Sequence, residues 1–86
     1  MARKMKNCPW EIIDPFESYS EFERFVGWMR DQVASGAARE LPVTQAYRGI
    51  SSLKEKWFEH IGSGRMWRLL EPDPPFGGFF KYIGDD

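Results

Sequence analysis

Cysteine and histidine each occur once in the 86 residues, as Cys8 and His60. A single thiol closes no intramolecular disulfide, which favours a reducing compartment. A metal site built on His60 would need Cys8 or carboxylates as further ligands, and no ligand spacing supplies them. Neither a metal nor a cofactor is expected. No apolar run approaches the ~20 residues of a membrane-spanning helix. Arg3, Lys4 and Lys6 lead into Pro9-Trp10-Glu11 instead of the apolar stretch of a signal peptide. The expectation is a cytoplasmic protein with no membrane partner.

Other signatures are missing too. The formal net charge is only −1, so no global field draws the chain to nucleic acid. Gly62-Ser63-Gly64 lacks the third glycine of a dinucleotide loop, and no Gly-Lys-Ser/Thr follows it. Glu71 and Asp73 lie two apart, but paired carboxylates do acid–base work only in a cleft that raises one pKa. Beside a proline-rich turn they read as exposed turn residues. Enzyme activity is not expected.

What the chain has in quantity is aromatic surface. Aromatic residues make up 16% of it, and half of them fall in residues 56–83. Large rings help a domain this short offset its chain entropy. A single domain over residues 1–86 is expected, with 1–7 and 84–86 frayed.

The clearest element is a helix. Phe22, Phe25, Val26, Met29 and Val33 recur at helical spacing and form one apolar stripe. Ser18 with Glu21, and Ser20 with Glu23, match the capping box, and Gly36 supplies a stop. The predicted helix spans about residues 18–35. Trp28 lies off the centre of the stripe, either as a flanking core contact or as an exposed anchor for a partner.

Residues 37–42 read as a loop or a single helical turn stopped by Pro42, and the alternation around Val43, Gln45 and Tyr47 reads as a strand ended by Gly49. Residues 50–61 fit either a helix or the first strand of a hairpin, and the hairpin is favoured. A two-residue Ser63-Gly64 turn would set Ile61 opposite Met66, Glu59 opposite Arg68 and Trp57 opposite Leu70. His60 with Trp67, and Phe58 with Leu69, would then share the other face. Pro72, Pro74 and Pro75 interrupt pairing, Gly77-Gly78 suits a close backbone approach, and residues 79–83 return beside the preceding strand. The predicted fold is therefore α+β: one amphipathic helix packed on a small antiparallel sheet with a C-terminal hairpin plus strand.

With one helix and a two-faced sheet, one face should remain partly exposed. Arg65, Arg68, Glu71 and Asp73, interleaved with Trp67 and Phe76, combine the arginines and aromatics that protein interfaces favour. His60 would join them as a rim residue. Trp28, His60, Arg65, Trp67, Arg68, Glu71, Asp73 and Phe76 are the candidate partner-binding residues. Residues 11–31 carry six acids and residues 39–68 six bases, so the two segments also suit each other within one chain.

The run Met66-Trp67-Arg68-Leu69-Leu70-Glu71-Pro72-Asp73-Pro74-Pro75-Phe76-Gly77-Gly78 resembles the C-terminal portion of small uncharacterised bacterial cytoplasmic proteins. Some of these are similar to immunity proteins of polymorphic-toxin and contact-dependent inhibition systems. The likeness covers the chain from Trp57 onward. It implies a non-catalytic protein that binds and neutralises a cognate toxin domain. Two alternatives stand beside it. One is a nucleic-acid-associated regulatory domain using Arg48, Lys54, Lys56, Arg65 and Arg68. The other is an accessory subunit or homo-dimer that buries its exposed aromatics.

Overall fold

The computed structural model describes residues 8–50 and 52–83. The two ends expected to fray, 1–7 and 84–86, lie outside the described residues. One helix, α1 (Tyr19–Ala34), precedes four strands: β1 (Ala38–Leu41), β2 (Glu55–His60), β3 (Met66–Leu70) and β4 (Phe79–Tyr82). The strands form one antiparallel sheet in sequence order. The α+β fold is as expected.

Helix α1 starts and stops where its sequence directs. The Ser18 hydroxyl accepts the Glu21 N–H at 3.1 Å, satisfying one of the first-turn donors. At the other end Gly36 takes φ +84°, a conformation that suits a residue without Cβ. Gly36 N–H then reaches the Val33 carbonyl and Ala37 N–H the Gln32 carbonyl, the paired bonds of a Schellman stop. The apolar stripe buries Phe22 and Met29 and half-buries Phe25 and Val26.

One sheet face meets this helix through Ala38, Phe58, Trp67, Leu69 and Phe80. Trp67 and Phe80 stack at 4.6 Å, and Trp10 sets its edge on both Trp67 (5.7 Å) and His60 (4.8 Å). Such ring pairs add about 0.5–1.5 kcal/mol each beyond the area they bury. Trp10 belongs to a segment that joins the sheet through Ile13, which exchanges both backbone bonds with Phe80 at the outer edge of β4.

The opposite face is also covered, contrary to expectation. Trp57, Leu70 and Phe79 are buried there, with Tyr47 edge-on to Phe79 at 5.0 Å. The cover is the long β1–β2 connection, which contains a short 3-10 turn, Tyr47–Gly49. The strand expected around Val43, Gln45 and Tyr47 is absent. Tyr47 N–H bonds the Glu55 carboxylate instead of a ladder partner. The extended segment lies earlier, in the Ala-Arg-Glu-Leu of β1. That sequence has no β-branched or aromatic residue, so pairing with β2 decides its conformation.

The hairpin forms in a register shifted by two residues. Phe58 lies opposite Trp67, and Trp57 opposite Arg68. Its loop is four residues long, closed by His60 N–H to the Arg65 carbonyl and Gly64 N–H to the His60 carbonyl, both 2.8 Å. A shift of two keeps every side chain on its expected face, whereas a shift of one would invert them all.

Beyond β3, Asp73 and Phe76 exchange backbone bonds across Pro74-Pro75, and the chain turns back as β4. Gly78 is the close approach anticipated there. Its φ is +70°, and a Cβ would lie 2.4 Å from the Leu70 carbonyl oxygen.

Candidate functional site

Helix α1 rests asymmetrically on the sheet. Phe25 packs on Phe80 at 4.6 Å and Trp28 meets Trp10 at 5.8 Å, so this flank of the helix points toward the β4 side. Its other flank, with Phe22, Val26, Met29 and Val33, looks over β1 and β2 across a groove of about 990 Å³. Phe58 and Leu69 line it from the sheet. Its rim is charged with both signs, including Glu23, Arg30, Glu40, Lys54 and Lys56. At the N-terminal end of α1 the Tyr19 hydroxyl donates to Glu71 at 2.9 Å, and that bond raises the phenol pKa. At the C-terminal end Val33 is 39% exposed, the last residue of the apolar stripe and the one least covered by its own chain.

Two polar clusters shape the ground on either side. The first is centred on Glu55, whose side chain is only 5% exposed. Its carboxylate accepts Tyr47 N–H at 2.8 Å, Trp57 Nε1–H at 2.7 Å and Arg68 Nε–H at 2.7 Å. The Arg68 guanidinium stands over the rings of both Tyr47 and Trp57, at 5.1 and 5.6 Å. A buried carboxylate is tolerated because three donors and a cation satisfy it. The cluster fastens the long connection to the far face of the sheet.

The second cluster is the hairpin loop. Ser63 is buried, and its N–H reaches His60 Nδ1 at 3.2 Å. Ser63 Oγ lies 2.8 Å from the same nitrogen and accepts Arg65 N–H at 3.2 Å. Whichever way the Oγ hydrogen turns, Ser63 N–H can only donate to Nδ1. Nδ1 is therefore an acceptor and the ring is neutral with its proton on Nε2. Burial lowers the His60 pKa, consistent with that state.

The residues expected to bind a partner do not converge. Trp67 is 2% exposed and belongs to the core, so the expectation that it presents a surface is corrected. The stacked Phe80 and the edges of Trp10 and Tyr82 surround it, and its Nε1 has no hydrogen-bond partner among the described residues. Arg68 is held by Glu55 on the opposite face. His60 shapes the loop, Asp73 and Phe76 close a tight turn, and Glu71 holds Tyr19. Trp28 remains 40% exposed, and Arg65 stands over Tyr82 at 4.4 Å.

The stretch Met66–Gly78, on which the expected resemblance rests, is thus used largely by the fold. Trp67, Leu69 and Leu70 are core, Arg68 is a latch and Pro72–Phe76 is the reversal. The basic residues also divide between faces. Lys56 lines the groove, while Arg48 and Arg68 lie against Tyr47 on the far side.

What sequence reasoning missed is the groove. Val26 and Val33 read as ordinary members of the buried stripe, and only the lateral offset of α1 uncovers them. Among the described residues no group of three His, Cys, Asp or Glu could hold a metal, and no helix is long and apolar enough to cross a membrane. The chain matches no family model, no curated protein and no solved structure.

Proposed function

We propose that this chain is a protein-binding module that receives part of a partner in the groove between α1 and the β1–β2 side of the sheet. The observation that supports the reading is the exposed Val33 at the end of the apolar stripe, next to the half-buried Val26 and beside a groove rim of both charge signs. Interfaces combine an apolar centre with a polar rim in this way. The finer reading, a partner that is a bacterial toxin domain, rests on the resemblance of Met66–Gly78 to small bacterial proteins, some of which are similar to immunity proteins.

Photo-crosslinking in the native host tests the general reading. A benzophenone amino acid placed at Val33 is expected to yield one discrete protein adduct, while the same group at Lys81, away from the groove, yields none. No adduct at Val33, or equal labelling at both positions, counts against it. Co-expression tests the toxin reading. If a toxin domain is encoded beside this gene, the chain should protect cells from it. Cells that die regardless remove that version.

A further inference from the structure

We propose that the outer edge of β1 docks an extended segment of another protein as a fifth, antiparallel strand. This rests on the protein-binding reading above and names the form of the partner. The two edges of the sheet differ. On β4, the outward N–H and C=O of Phe80 are both taken by Ile13, at 2.8 and 3.0 Å, which leaves Tyr82 alone facing outward without such a bond among the described residues. On β1, the bond from Ile61 N–H to the Ala37 carbonyl fixes the phase of the ladder. Arg39 therefore faces β2, and the backbone groups of Ala38 and Glu40 face outward. No backbone bond from outside the sheet reaches either residue among the described residues.

The charges of β1 select the occupant. Directly opposed residues of an antiparallel pair share a face and a hydrogen-bond phase. In the two registers that overlap β1 most fully, a second copy pairing about a two-fold axis sets Arg39 opposite Arg39 or Glu40 opposite Glu40. Like charges directly opposed are destabilising. The second register also brings Pro42, which has no N–H, opposite Ala38. Arg39 pairs with Glu59 and Glu40 with Lys56 on the β2 side, and a foreign strand with a base opposite Glu40 and an acid opposite Arg39 extends both ion pairs across the edge.

Apolar residues complete the pattern at both ends. The residue opposite Leu41 extends the far face. The one opposite Ala38 falls on the helix side, where Val33, Ala34 and Glu40 border the groove. Read from its N-terminus, the docked segment is apolar, basic, acidic, apolar.

The test uses the whole chain, a capped synthetic peptide Thr-Ile-Lys-Glu-Ile-Thr, and a control with the central Lys and Glu exchanged. In a titration followed by amide chemical shifts, the first peptide should perturb Ala38, Glu40 and Val33, and bind about threefold more tightly than the control. Glu40→Pro removes both the outward N–H and the carboxylate that faces the peptide's lysine, spares the ladder to β2, and should weaken binding about tenfold without unfolding the chain. Perturbations away from β1, no preference between the peptides, or an indifferent Glu40→Pro variant would overturn the proposal. If a protein crosslinked at Val33 binds the Glu40→Pro variant undiminished, the strand is refuted and the protein-binding reading stands. Absence of any Val33 adduct removes that reading whatever the peptides do.

Discussion

Arg68 donates through Nε to Glu55 Oε2 at 2.7 Å, diagonally across β2 and β3, with the two side chains 20% and 5% exposed. Lys56 and Glu40, by contrast, meet at 3.9 Å with both side chains more than half exposed. The first pair organises the long connection over Trp57, Leu70 and Phe79. The second is screened by water and adds little.

Glu55→Gln should accordingly cost about 2–4 kcal/mol, because it leaves a largely buried guanidinium without its counter-charge. Lys56→Ala should change stability by less than about 0.5 kcal/mol. Urea unfolding of both variants checks the contrast. Equal, small losses would mean that the Glu55 cluster does not hold the far face.

The His60 loop makes stability depend on pH. Its pKa is lowered in the folded state by burial, so between the folded and unfolded values the unfolded chain binds more protons. The contribution is present above the ordinary value of about 6.5 and is lost as pH falls through the folded pKa. His60→Asn keeps an acceptor near Ser63 N–H but does not titrate. It should flatten the fall in stability as pH drops below about 6.5. A variant whose profile runs parallel to the wild type in that window contradicts the assignment.

Two glycines should respond in opposite directions to alanine. Gly27 lies within α1 with nothing within 4 Å of a built Cβ, so Gly27→Ala should stabilise by about 0.5–1 kcal/mol through helix propensity. At Gly78 the Cβ would collide with the Leu70 carbonyl oxygen at a positive φ. Gly78→Ala should cost more than about 1 kcal/mol and displace β4. Thermal melts of the two variants decide it, and a shift of the same sign in both would be incompatible with this geometry.

Leu70 is fully buried on the face away from the helix. Leu70→Ala should therefore cost about 2–5 kcal/mol, as in any packed core. A loss below about 1 kcal/mol, the cost of a partly solvated strand position, would show that the connection does not cover this face.

The parts legible in the sequence were those set by local chemistry. Ser18, Gly36 and the Phe22–Met29 spacing mark α1, and alternation assigns Trp57 and Phe58 to opposite faces. Gly78 and the prolines mark the reversal into β4. What escaped was set by tertiary contacts. The strand β1 has no strand-forming residue and takes its shape from β2. The hairpin register depends on a His60–Ser63 contact that no spacing announces. Trp67 and Arg68 have the composition of an interface, but their partners, Phe80 and Glu55, lie 13 residues away in each case along the chain and use them internally. The groove depends on where α1 lies on the sheet, which its periodicity does not specify.

The central claim is that Val33, the exposed end of the apolar stripe of α1, serves a partner and not the fold. Val33→Arg tests it directly, since a cation in the last turn suits the helix dipole while its bulk fills the groove. With the protein captured at Val33 as ligand, the variant should melt within a few degrees of the wild type and bind at least about tenfold more weakly, a change of ~1.4 kcal/mol. Full binding by a folded Val33→Arg protein would contradict the account.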